Sequence, residues 1–172
     1  KKSTLSLTIF TIFALQKKNS MKNILSALLV LTLFISCSKD KEDSIDYVAK
    51  NEQEIKDYIA KNNLVAQRSN SGLYYIITNP GTGTQPIATS NVTVAYKGYF
   101  TNGKEFDKSS DSGISFGLNQ VIKGWTEGIP YFKTGGSGIL LIPAHLGYGS
   151  KSNGPIPGGS VLIFDVKLIS VN

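Results

Sequence analysis

All 17 glycines of this 172-residue chain lie at or after Gly72, and all six prolines at or after Pro80. Gly and Pro punctuate a chain with turns, so the two sides of that division cannot fold alike. Upstream of it, Ser44 to Asn63 contains neither and is rich in helix formers. Val48, Ile55 and Ile59 offer one thin apolar stripe there, which predicts a short helix acting as a spacer or dimer contact. Residues 64–71 read as a linker, which makes 37–71 a tether with a short helix and 72–172 the folded domain.

The domain reads as strands joined by turns. Leu73 to Thr78 is rich in β formers and stops at Asn79-Pro80-Gly81. Asn91 to Thr101 alternates, with Val92, Val94 and Tyr96 on one side. Thr101-Asn102-Gly103-Lys104 has the composition of a tight hairpin turn, and Glu105 to Asp107 begins the return. Residues 108–113 make a polar loop, and Ile114 to Leu118 a short strand. Val121 to Phe132 reads as a short helix limited by Gly128 and Pro130. Ser137 to Ile142 is a further strand, and residues 143–159 form a long loop rich in Gly and Pro. Ser160 to Ile169 is the last strand, with Leu162, Phe164, Val166 and Leu168 on one face. The sum is an α+β domain of about 100 residues, a largely antiparallel sheet with one short helix covering one face.

The formal charge of +6 suggests a nucleic-acid partner until its distribution is read. Lys1, Lys2, Lys17, Lys18 and Lys22 precede residue 23, where there is no acid. From Cys37 onward 13 basic residues face 12 acidic ones. The domain therefore carries no electrostatic footprint for DNA or RNA, and no nucleic-acid partner is expected. Met21 is the sole methionine, so residues 1–20 are expected to precede the translated start. After Lys22 comes an apolar run of 12 residues, Ile24 to Ile35, shorter than the roughly 20 that span a bilayer. It ends in Phe34-Ile35-Ser36-Cys37, followed by the charged stretch Ser38 to Asp43. That arrangement resembles a bacterial lipoprotein signal, although Phe34 stands where Leu is usual. The resemblance implies a signal peptide over 21–36, a lipid on Cys37 and a membrane-anchored protein of the bacterial envelope, at the outer membrane. An incidental buried cysteine is the plainer alternative. An uncleaved anchor over 5–35 would have to bury Lys17, Lys18 and Lys22.

Several motifs lead nowhere. Gly98 to Lys104 fits the first seven places of a phosphate-binding loop, but Glu105 stands where Ser or Thr must hold magnesium, and no helix follows. One cysteine and one histidine exclude disulfide frameworks and Cys- or His-cluster metal sites. His145 reads as an ordinary loop residue. No nucleophile with a base and no pair of buried carboxylates stands out, and no cofactor is expected.

The distinctive feature is aromatic. Tyr96, Phe106, Phe116, Trp125, Tyr148 and Phe164 fall on segments that the strand reading brings to one side of a sheet. They sit in five separated words: Val94-Ala-Tyr96-Lys-Gly98, Gly103-Lys-Glu-Phe106-Asp107, Phe116 to Gly128 with Val121-Ile122-Lys-Gly124-Trp125, Ile142-Pro143 to Tyr148-Gly149, and Ile156-Pro157 with Leu162-Ile-Phe164-Asp165-Val166. In this order and spacing the series resembles the FKBP-type peptidyl-prolyl cis–trans isomerases, over about residues 73–172. The resemblance implies a five- or six-stranded antiparallel sheet wrapped around one short helix, with a ligand pocket between them. It implies Trp125 as pocket floor, and Tyr96, Phe106, Val121, Ile122, Ile156 and Phe164 as walls. Tyr148 would stand at the rim with a free hydroxyl, the Ile122 N–H would be a second partner for a substrate carbonyl, and Asp107 would be the pocket carboxylate. Proline-containing polypeptides are then the expected partners, with macrolide inhibitors as further ligands. A non-catalytic peptide-binding module with the same pocket is the rival reading. Two departures stand out. The loop after Asp107 lacks the Arg usual in the family, with Ser112 near its place, which leaves Tyr96 as the candidate partner for Asp107. Ile114 stands where an aromatic is common.

Overall fold

A computed structural model describes residues 46–172. Residues 1–20, the signal segment 21–36 and Cys37 lie outside the described residues. Helix α1, Tyr47–Lys61, is opened by Asp46, whose Oδ1 accepts from the N–H groups of Val48 and Ala49 at 3.0 and 3.3 Å. The strands are β1 (Gln67–Arg68), β2 (Tyr74–Asn79), β3 (Asn91–Tyr99), β4 (Glu105–Lys108), β5 (Ile114–Gly117), β6 (Ser137–Ile142) and β7 (Leu162–Val171). Helix α2 spans Lys123–Gly128 between β5 and β6 and continues as a 3-10 turn over Ile129–Tyr131, where Pro130 ends regular helix.

All pairings are antiparallel, in the order β1-β2-β6-β7-β3-β4. The long β3 meets β7 along one edge and shares its other edge between β5, at residues 91–94, and β4, at residues 97–99. The antiparallel sheet and the short helix follow the expectation, and the strand count rises to seven. The added strand is β1, which lies inside the expected linker and pairs Gln67 with Tyr75 and Arg68 with Tyr74.

The sheet is buried on both faces where β6 and β7 meet. Leu140, Ile142, Leu162, Phe164, Val166 and Leu168 point into the main core with α2. Leu141 and Ile163 point the other way, into a second cluster with Ile55 of α1, Tyr74 and Val161. A strand covered on both faces shows a continuous apolar run instead of alternation, as Ile139 to Ile142 and Val161 to Phe164 do. Helix α1 is thus not a free spacer. It caps the outer face of the sheet, and residues 45–172 form one compact unit. Its inward face keeps Ile55 and Ile59 of the expected stripe and departs from it at Val48. Asn51 and Ile55 are buried with Tyr58 and Ile59 packed beside them, while Val48 is 56% exposed.

Candidate functional site

The cavity that matters is built by the meeting of β3, β4, β5, β7, α2 and the loop between β6 and β7. It has a volume of about 760 Å³, within the range of small-ligand sites. Each element reaches it for a local reason. In β3 and β4, Gly98 pairs with Asp107. A side chain at Gly98 would fall 2.7 Å from the Phe106 ring and 2.8 Å from the Phe164 ring. Its absence lets those two rings meet edge to face at 5.5 Å and 87°. In α2, a Cβ at Gly124 would lie 2.5 Å from the side chain of Ile142, and one at Gly128 2.8 Å from that of Leu140. The helix therefore rests directly on β6 and carries Trp125 into the cavity.

Trp125 is 5% exposed and sits among three rings. Tyr96 and Phe164 meet it edge-on at 5.0 and 5.1 Å, and Phe116 lies tilted at 5.2 Å. Its Nε1 is buried and has no protein acceptor. Val121 and Ile122 stand just before α2. Ile122 is its N-cap, in extended conformation, with its carbonyl accepting from Trp125 and Thr126. The Ile122 N–H takes no part in the backbone hydrogen bonds of this segment. Tyr148, 41% exposed, and Ile156, buried, come from the long loop.

Asp107 is the one charged residue of the lining. Among the described residues it takes part in no ion pair, since the carboxylates of all four pairs belong to Glu52 and Glu105. Its partner is the Tyr96 hydroxyl, which donates to Oδ2 at 2.6 Å. Burial, and then the hydrogen bond to Asp107 and its negative charge, push the Tyr96 phenol well above its ordinary pKa. The loop after Asp107 is tied to β3, where the Tyr96 N–H donates to Ser109 Oγ at 2.9 Å, and within it the Ser110 and Ser112 hydroxyls bond each other at 2.8 Å. Ile114 is 46% exposed on the cavity wall, so this side presents an aliphatic surface.

All nine residues singled out as pocket residues in the sequence, Tyr96, Phe106, Asp107, Val121, Ile122, Trp125, Tyr148, Ile156 and Phe164, line this one cavity. Gln120, Asn153, Gly154 and Pro155 line it too and escaped sequence reasoning. Of these only Pro155 had a signal, its place beside Ile156. The Gly98–Lys104 segment is the β3–β4 hairpin, with Asn102 Oδ1 accepting from the Lys104 N–H. His145 is tied to the Ser71 carbonyl through Nε2 at 2.9 Å. Among the described residues no group of three potential ligands could hold a metal ion, and no helix is long and apolar enough to cross a membrane. The lining pairs aromatic and aliphatic surface with a few polar atoms, which suits a compact apolar ring attached to a hydrogen-bonding group.

The sequence model of FKBP-type peptidyl-prolyl cis–trans isomerases matches residues 83–169. The chain belongs to this family. The matched FKBP segment contains every pocket residue named above. An FKBP-type isomerase, FkpA, of Aeromonas hydrophila is 38% identical over 136 residues, covering 78% of this chain and 50% of that protein. A probable FKBP-type isomerase of Haemophilus influenzae is 42% identical over 141 residues, 80% of this chain and 58% of that protein. The crystal structure of FkpA from Escherichia coli superimposes with a TM-score of 0.67 at 34% identity, covering 88% of this chain and 71% of that one. The chain spans about half the length of the curated relatives it matches.

Proposed function

We propose that this chain is a peptidyl-prolyl cis–trans isomerase that turns over X–Pro bonds in exported polypeptides. One observation carries the reading: four aromatic rings, Tyr96, Phe116, Phe164 and Trp125, close around the base of a cavity whose single charge is already hydrogen-bonded. Rotation about a peptide bond costs about 18–20 kcal/mol because it destroys amide resonance. At X–Pro the two isomers are close in energy yet exchange over tens of seconds or longer. No bond is made or broken, so no nucleophile is needed. The planar amide is charge-separated and best solvated by water, whereas the twisted amide is less polar. A dry aromatic pocket therefore raises the ground state relative to the twisted state. The proline ring would rest on Trp125 between Tyr96, Phe106 and Phe164, with Val121 and Ile156 completing the walls. The Tyr148 hydroxyl and the Ile122 N–H would hold the carbonyls that fix the geometry. Asp107 would shape the pocket through Tyr96. Macrolides that mimic the twisted amide would compete for the same floor.

The test is isomerisation of X–Pro peptides by the full chain, followed by protease-coupled or direct NMR assay. Saturable acceleration, inhibited by a macrolide such as rapamycin, is the expected result. Folded protein that binds proline peptides without accelerating any of them would make the cavity a binding module instead.

The same proposal extends to the envelope: cleavage before Cys37, with lipid on its thiol, would tether the domain to the outer membrane. The sequence that follows Cys37 is charged over Ser38 to Asp43. Stable anchoring takes two acyl chains or an equivalent second signal, which a diacylglyceryl cysteine provides. Fractionation and intact mass of Cys37→Ser are the check; a variant with unchanged mass and membrane attachment excludes the lipid.

A further inference from the structure

Asn51 in α1 is 0% exposed, the one buried polar side chain of the described core. A buried amide is costly unless both its ends are hydrogen-bonded. Both are, and both bonds leave the helix. Oδ1 accepts from the Ala144 N–H at 2.8 Å, and Nδ2 donates to the Gly159 carbonyl at 3.0 Å. The partners themselves fix the amide's orientation, since one can only donate and the other only accept.

Those two residues are the ends of the long loop between β6 and β7. Between them the chain carries Tyr148, Pro155 and Ile156 into the cavity wall. Within the loop the Gly149 N–H donates to the Ala144 carbonyl at 2.7 Å, and the Gly159 N–H donates to the Gly149 carbonyl at 2.8 Å. The bonds therefore close a ring, from Asn51 to Ala144 to Gly149 to Gly159 and back to Asn51. Asn51 is its only member outside the loop, and Tyr148 immediately precedes Gly149. One helical turn earlier, the Tyr47 ring lies against Gly159, which has φ +75° and no room for a side chain. Two successive turns of α1 thus hold the place where the loop begins and ends.

We propose that Asn51 is a positioning residue for the cavity, setting the placement of Tyr148 and Ile156 through the loop ends. This rests on the isomerase reading above. Leu146 and Ile156 anchor the loop in the main core, but residues 147–155 between them bury no side chain. Such a Gly- and Pro-rich stretch opens locally at low cost, and a displacement of about 1 Å at a binding group can cost a hundredfold in rate. Ile55 docks the same helix against Tyr74, Leu141, Val161 and Ile163 and supplies no hydrogen bond to the loop ring, so it separates helix docking from the ring's bonds.

The experiment compares three variants of the full chain. Asn51→Leu keeps the volume and removes both bonds. Asn51→Asp keeps the acceptor for Ala144 and loses the donor to Gly159. Ile55→Val loosens the helix contact alone. The readouts are kcat and KM on an X–Pro peptide, and amide hydrogen exchange at Gly149 and Gly159. Asn51→Leu is expected to lower kcat/KM about tenfold, mainly through KM, because the apparent affinity falls with the fraction of competent loop. Asn51→Asp should lie between it and wild type, and Ile55→Val should stay within about twofold of wild type. Exchange at Gly149 and Gly159 should quicken about tenfold in Asn51→Leu while β3 amides are unchanged.

Wild-type kcat/KM and exchange in both Asn51 variants would overturn the proposal. So would an Ile55→Val loss equal to that of Asn51→Leu, since the site would then respond to helix docking in general. If Asn51→Leu does not fold, Asn51→Asp decides on the same two readouts. If the wild type itself shows no turnover, the isomerase reading fails. Loop exchange and peptide affinity then decide the clamp: faster exchange with weaker binding upholds it, and no change in either refutes it.

Discussion

The Tyr96 hydroxyl and Asp107 Oδ2 lie 2.6 Å apart, on neighbouring strands, and are each other's partner in the cavity. Among the described residues Asp107 takes part in no ion pair, so this neutral donor is what holds it. An amide oxygen at 107 would still accept from Tyr96, and an isomerisation moves no proton. Asp107→Asn is therefore expected to keep most of kcat/KM. A hundredfold loss would mean that the carboxylate's charge acts on the substrate directly.

The raised pKa of Tyr96 has a consequence for pH. A phenol held protonated by burial and by Asp107 stays neutral across the physiological range. The plot of log kcat/KM against pH should be flat between about pH 6 and 9, where no unperturbed carboxylate or phenol titrates. A break in that range would implicate a group outside the Tyr96–Asp107 pair.

Tyr148 and Phe164 test the walls. Tyr148 is exposed at the rim, so Tyr148→Ala should leave the fold intact and lower activity at least about tenfold by removing its hydroxyl and ring. Phe164→Ala should lower activity to a similar extent and also destabilise, since its ring is buried against Phe106 and Trp125. Circular dichroism separates lost folding from lost function. Full activity in either variant would remove that residue from the site.

Trp125 is the chain's only tryptophan, so indole emission reports one place. A bound proline peptide or macrolide should displace water over it and change emission with saturable dependence on concentration. Trp125→Ala should cost about 3–5 kcal/mol through the cavity it leaves, whereas Trp125→Leu should retain an apolar floor and lose only part of the affinity. A flat titration where calorimetry shows binding would place the ligand elsewhere.

Glu52 gives the docking of α1 a pH dependence. Burial alone would raise its pKa, but hydrogen bonds from Tyr74, Lys56 and Arg68 outweigh burial and leave it below the ordinary value. A carboxyl with a lowered folded pKa stabilises above its unfolded pKa, and that stability is lost as pH falls through the folded value. Between pH 7 and about pH 3 the wild type should therefore lose more of its melting temperature than Glu52→Gln. Equal losses would show that Glu52 contributes nothing net.

Much of the site was legible because its residues announce themselves by type and local spacing. Trp125 follows Gly124, Phe106 precedes Asp107 after a Gly103 turn, and Phe164 belongs to an alternating strand. Each of these is a short-range pattern. Gln120, Asn153 and Gly154 were not legible, because they reach the cavity through loop geometry that no periodicity encodes. Helix α1 was visible as a helix, and so were Ile55 and Ile59 of its inward face. The stripe also suggested Val48, which is exposed, and missed the buried Asn51, a residue whose type points to solvent unless a partner is known.

The sequence by itself determined the strand and turn succession, the aromatic set and the family, since alternation, Gly and Pro punctuation and ordered motifs are all local in the chain. Tertiary structure alone decided that α1 covers the second face of the sheet, that Gln67–Arg68 pairs with Tyr74–Tyr75, and that Asn51 meets Ala144 and Gly159. The two Asn51 bonds join residues 93 and 108 positions apart. A buried amide becomes favourable only when the complementary N–H and C=O are carried to it by the rest of the fold, and no local pattern records where they will come from.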